Sequence, residues 1–220
     1  MKMVKAVTAF AVIALMMAEA GASQATTLVS DFTLDGASGG LGVAAPYGEV
    51  VVDDAGGALA FTVTLFDGLK FRNAPDPNHH SFSFNLGGLA ATIGGITDNG
   101  VGTFTVEPGS VNQAPFGSFQ LGLECNSCST GYNANSPSVL SFTVTKQGGG
   151  ALTVDNLTKN TNGDYFAADV TNTYGDTGNI GANSLKAAVP EPNTWLIMLL
   201  GFTGLGAALR YRRQQALVVA

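Results

Sequence analysis

Charge is scarce in this sequence: only 12% of its 220 residues are Asp, Glu, Lys or Arg. Between residues 26 and 188, five basic residues (Lys70, Arg72, Lys146, Lys159 and Lys186) stand against fourteen acidic ones, a net charge of −9. The whole-chain value of −6 understates this, because half of the ten basic residues lie in the two ends. An acidic domain repels phosphate backbones, and no basic stripe interleaved with aromatics is present. Nucleic acid is therefore excluded as a partner. Helical periodicity is missing too. No run of ten or more residues between 26 and 188 repeats its apolar positions at 3.6-residue spacing with caps.

Cysteine and catalytic signatures are equally sparse. The two cysteines, Cys125 and Cys128, exclude a disulfide-dense scaffold. In an exported chain such a pair leans towards a disulfide pinning a loop, with two free thiols as the alternative. Half of a zinc site lacks its second pair of ligands. Gly-x-Ser-x-Gly is absent, and the Ser, His and Asp residues have no supporting motif. The domain therefore reads as a substrate of processing rather than an enzyme, with no cofactor.

What is present is alternation. Phe61-Thr-Val63-Thr-Leu65 alternates cleanly, and Asp67-Gly68 then precedes Leu69-Lys-Phe71, which predicts a type I′ hairpin. Further alternating runs cover Leu28 to Leu34, Ser81 to Leu86, Thr103 to Val106, Ser118 to Leu123, Leu140 to Val144, Leu152 to Val154 and Tyr165 to Val170. Short strands without helices predict an all-β fold, a single antiparallel β-sandwich of jelly-roll-like type. This domain is placed at residues 26–174. The polar stretch 175–188 reads as a spacer lifting it off a membrane.

The ends differ from the middle. A positive Met-Lys-Met-Val-Lys followed by the apolar run Ala6 to Ala18 predicts a secretory signal-peptide helix over residues 1–25. Cleavage fits after Ala20, Ala22 or Ala25, with Ala25 fitting best. At the other end, Pro190-Glu191-Pro192 is forced into extended backbone, as an enzyme cleft requires. Trp195 suits a headgroup interface, and Asn193 to Leu209 would make a transmembrane helix of about 25 Å at ~1.5 Å per residue. Arg210, Arg212 and Arg213 then act as the cytoplasmic stop-transfer cluster, with residues 214–220 as a cytoplasmic tail. Gly201, Gly204 and Gly206 fit helix packing in lipid better than a dinucleotide loop.

Pro190-Glu191-Pro192, Trp195, Met198-Leu199-Leu200-Gly201-Phe202, Gly204-Leu205-Gly206 and the arginines together resemble the PEP-CTERM sorting signal over residues 189–213. The closest form is the variant with Trp three residues after the second Pro. Leu196 in place of Ala, Tyr211 within the basic cluster and the extension Gln214 to Ala220 depart from it. The resemblance implies an exosortase as partner, a membrane-embedded cysteine transpeptidase that cuts near Pro-Glu-Pro. It also implies a membrane-anchored intermediate, then release to the bacterial cell surface or to the exopolysaccharide of a biofilm matrix.

Three side-chain groups invite other chemistry. His79-His80 with Asp76 could be metal ligands, but strand neighbours point to opposite faces, and a polar loop explains them more simply. Asp53-Asp54, Asp164, Asp169 and Asp176 could hold calcium, but no Asp-x-Asp-x-Asp-Gly loop exists, so a solvated acidic face is the default. Asp164 and Asp169 also fall on opposite sides of one strand. Phe71, Tyr132 or Tyr165 would stack sugars in a carbohydrate-binding module, the main alternative function. A surface hydrolase would need a cleft with converging carboxylates or a Ser-His pair.

Overall fold

The computed structural model describes residues 26–36, 40–74, 76–188, 198–199, 201–206 and 210. The expected signal peptide 1–25 and the sorting residues Pro190, Glu191, Pro192, Trp195, Arg212 and Arg213 lie outside them. One compact unit runs to Lys186, and a second begins at Ala187. In the latter, residues 198–199, 201–206 and 210 are helical, with Arg210 exposed. Among the described residues no helix is long and apolar enough to cross a membrane.

Antiparallel strands dominate the first unit. One sheet contains β1 (Thr27–Asp31), β3 (Gly48–Asp54), β4 (Leu59–Leu65), β7 (Ala91–Asp98), β12 (Val139–Lys146) and β15 (Lys186–Ala187). Their spatial order is β15-β1-β3-β4-β12-β7. The other sheet runs β2 (Leu34–Asp35), β14 (Thr177–Ala182), β13 (Phe166–Thr171), β6 (Phe82–Phe84), β11 (Leu121–Cys125), β8 (Phe104–Val106). The short β5 (Lys70–Phe71) lies beside β13. A two-stranded ribbon, β9 (Val111–Gln113) with β10 (Gly117–Phe119), belongs to neither sheet.

Period-2 burial makes the core. On β4, Leu59, Phe61, Val63 and Leu65 point inward while Ala60, Thr62 and Thr64 stay half-buried. Phe61 stacks on Phe142 of β12 at 4.7 Å and meets Phe84 of the other sheet at 4.8 Å. Phe82 stacks on Phe166 at 5.9 Å. These rings bind both sheets into one apolar cluster, each buried Phe stabilising by roughly 1.5–3 kcal/mol.

The second sheet is covered on its other face as well. Val111, Phe116 and Phe119 of the ribbon segment pack with Ala167 and Leu34 in a small cluster of their own. Close approach there demands glycine: a Cβ on Gly181 would sit 2.5 Å from the Phe116 ring. All six residues of β13 are consequently buried.

Four expectations are corrected. Asp67 and Gly68 take positive φ, 50° and 78°, as a type I′ turn requires, but no hairpin forms. Both edges of β4 are already taken by β3 and β12, so the turn carries the chain to the other sheet, where β5 pairs with β13. The run Leu28 to Leu34 is broken in two. Phe32 N–H donates to Gly48 in the first sheet and Thr33 N–H to Gly181 in the second, so the chain changes sheets between them. Val154–Asn156 is a 3₁₀ turn rather than the end of a strand.

The fourth correction concerns the polar stretch 175–188. It contains β14, paired with β13 along six residues and with β2 on its other side. The hairpin closes on Asn172, whose Oδ1 accepts from the Tyr174 and Asp176 N–H groups. Thr177-Gly-Asn-Ile-Gly-Ala reads as polar because one side of β14 lies under the ribbon, where only small or hydrogen-bonded groups fit. The folded body therefore extends past 174, to Lys186.

Candidate functional site

Isolated polar side chains inside apolar strands converge between the second sheet and the ribbon. Alternation turns Phe82, Phe84, Leu123 and Val170 inward, and by the same period sends Ser81, Ser83, Glu124 and Asp169 to the opposite face. Arg72 arrives just after β5, His80 just before β6, Gln113 at the end of β9 and Asn179 from β14. All but Arg72 are buried.

Gln113 is the plug. Its Oε1 accepts from His80 N–H at 2.8 Å and Ser83 Oγ at 3.2 Å. Its Nε2 donates to the His80 carbonyl at 3.0 Å and to Asn179 Oδ1 at 2.8 Å. Every hydrogen-bonding position of the amide is filled. Asn179 Nδ2 donates in turn to the Ala114 carbonyl, so the ribbon is tied to β14 through two side chains.

The charged groups are less well matched. Glu124 accepts backbone N–H groups from Ala74 at 2.9 Å and Ser81 at 3.1 Å. Burial nevertheless pushes its carboxyl up to about 7, and the neighbouring Glu107 carboxylate adds to the rise. Asp169 is 1% exposed and also rises to about 7 through burial, against the opposing pull of the Arg72 guanidinium. That pair is long, 3.4 Å from Arg72 Nη1 to Asp169 Oδ1. Burial lowers the His80 pKa, so His80 Nδ1, 3.7 Å from Glu124 Oε2, makes a polar approach with a neutral ring. Arg72 Nε, His80 Nδ1 and Asp169 Oδ2 have no hydrogen-bond partner.

The layer can store protons near neutrality and fix the ribbon. Its carboxylates converge, but under a cover: Glu124 is only 7% exposed. An open groove of about 410 Å³ lies elsewhere, lined by Asn85, Ser118, Gln120, Thr158, Lys159 and Asn160 among others. Most of its polar side chains are already used. Gln120 Oε1 accepts from Leu86 and Gly88 N–H, Asn85 Oδ1 accepts from Gln120 N–H, and Thr158 Oγ1 accepts from Gly87 N–H.

The residues singled out from sequence are scattered. Cys125 and Cys128 are joined as a disulfide, Cα to Cα 5.4 Å, directly after Glu124. Asp76 is exposed and caps its own turn by accepting from Asn78, which holds its carboxyl low. Among the described residues, no three of His, Cys, Asp and Glu are grouped so as to hold a metal ion. Asp53 accepts from Thr27 on the first sheet, and Asp176 accepts from Asn172 at the β13–β14 turn, far apart in the topology. Asp164 is buried, which raises its pKa.

Of the aromatics proposed for sugar stacking, Phe71 is corrected. It is fully buried, edge-on to Phe104 at 5.6 Å. Tyr165 is half-buried with Lys159 Nζ 5.3 Å from its ring centre, and Tyr132 is 37% exposed. Tyr174, 85% exposed at a turn, was not among them. Also missed were Arg72, Gln113, Glu124 and Asn179. The available signal was a lone polar residue in an apolar strand, as in Leu121-Gly-Leu-Glu124-Cys.

Residues 188–213 match the PEP-CTERM protein-sorting motif. Comparison with curated proteins gives no match, and neither does comparison with solved structures.

Proposed function

We propose that this is an exported bacterial protein processed by an exosortase at its C-terminal sorting signal and then held at the cell surface or in an exopolysaccharide matrix. The match over residues 188–213 carries this reading. In this reading Pro190 and Pro192, whose rings restrict φ, mark the cleavage segment, and the apolar run ending in Arg210, Arg212 and Arg213 would anchor the intermediate with the β-domain outside. The signal peptide at 1–25 supplies the export step. The domain is a jelly-roll-like sandwich that acts without catalysis. The burial of the Glu124 and Asp169 carboxyls, held against Ala74, Ser81 and Arg72, supports that reading.

Expression of the full chain with and without an exosortase, followed by intact-mass measurement, tests the reading: the tail should be lost only when the enzyme is present. A carbohydrate-binding role is the second reading, favoured by the exposed Tyr174 and Tyr132 rings. A glycan array probed with wild-type protein and with Tyr174→Ala decides it, and no binding by the wild type rejects it.

A further inference from the structure

The folded body and the sorting motif leave almost no chain between them. Ser30 Oγ donates to the Ser184 carbonyl, Leu185 packs on the main core, and Lys186 Nζ reaches Asp31 Oδ2 at 2.8 Å. β15 begins at that same Lys186, next to β1 at the sheet's edge. The matched motif starts at residue 188, and only three residues separate Lys186 from Pro190. Four residue steps reach at most about 14 Å when extended. The stretch that would have supplied slack, 175–186, is tied up in β14 and the contacts just named.

We propose that the segment from Ser184 to Lys186 is a releasable strap, which ties up the chain just ahead of the sorting motif and must come off β1 before an exosortase can seat Pro-Glu-Pro. This rests on the exosortase reading above. An enzyme cleft grips extended chain on both sides of the bond it cuts, and on this side the chain is already committed to the sheet edge. The strap is built to let go. Lys186 is largely exposed and Asp31 partly so, and an exposed ion pair shifts an equilibrium by no more than a factor of about five. Lys186 and Asp31 are thus positioning residues, setting the rate of processing without touching the enzyme's chemistry.

The test follows processing in cells that carry an exosortase, by pulse-chase and intact mass, for the full chain and three variants. A ten-residue Gly-Ser insertion between Ala187 and Ala188 should be cleaved several-fold faster than wild type. Lys186→Ala should gain about two- to five-fold, and the exchange Asp31→Lys with Lys186→Asp should return the rate to that of wild type. The domain's melting temperature should be the same in wild type and the insertion variant, which separates positioning from a loss of fold. Equal or slower cleavage of the insertion variant overturns the strap and leaves the sorting reading intact. If none of the four proteins loses its tail, the exosortase reading falls and the strap with it.

Discussion

The two sheets bury their strands differently. β4 in the first sheet has one dry face and one half-wet face, so its sequence alternates and its burial alternates with it. β13 in the second sheet is buried at all six positions, because the ribbon over Ala167 and Arg72 beside Asp169 cover the face that would otherwise meet water. The difference is energetic as well as geometric. The first sheet relies on apolar area and rings, whereas the second adds a layer whose groups must find partners or hold protons. A buried polar layer is costly where partners are missing, and Arg72 Nε, His80 Nδ1 and Asp169 Oδ2 are such places.

The largest effect belongs to the shared core. Phe142→Ala removes a ring in contact with Phe61, Phe82 and Phe84 and should lower unfolding free energy by ~3–5 kcal/mol in urea titration. A loss under ~1 kcal/mol would mean that the sheets do not depend on that cluster.

Next comes a pH effect confined to the second sheet. Glu124 and Asp169 titrate near 7 when folded, against about 4 in an unfolded chain. Between those values the native state holds more protons, so stability is full below about pH 4 and falls as pH rises through 7. Each carboxyl contributes a slope of up to ~1.4 kcal/mol per pH unit. Arg72, His80 and Glu107 face the pair and set its final size. Glu124→Gln should flatten the slope between pH 5 and 7 and stand more stable than wild type at pH 8. Identical urea midpoints against pH for the two proteins would contradict this.

Gln113→Leu is the third. It leaves the His80 backbone groups and Asn179 without their partner and should cost ~1–3 kcal/mol. Hydrogen exchange should speed up first in β9 and β10, and unchanged exchange there would show that the amide does not seat the ribbon. The smallest effect is Ser141→Ala on the outer face of the first sheet, within about 0.5 kcal/mol of wild type.

The same contrast explains what could be read in advance. Strands with one wet face, such as β4 and β12, announce themselves by period. β14 does not: Gly181 is dictated by the Phe116 ring above it and Asn179 by Gln113, both distant in sequence, so the segment imitates a polar spacer. The Asp67-Gly68 turn was legible and its consequence was not, since only the pairing of β3 and β12 with β4 shows that no edge remained for a hairpin. The polar layer draws one to three residues from each of several separate segments, and no local spacing carries it. The sorting signal is the opposite case, a contiguous motif whose parts each have a local physical role, and it was legible from its residues.

Residues 188–213 match the PEP-CTERM protein-sorting motif, where we propose that an exosortase cuts. Intact-mass measurement of the mature protein from cells with and without that enzyme reads the cleavage itself. The product should end near Pro190 when the enzyme is present, and the chain should reach Ala220 when it is absent. A chain that still ends at Ala220 in both would contradict it.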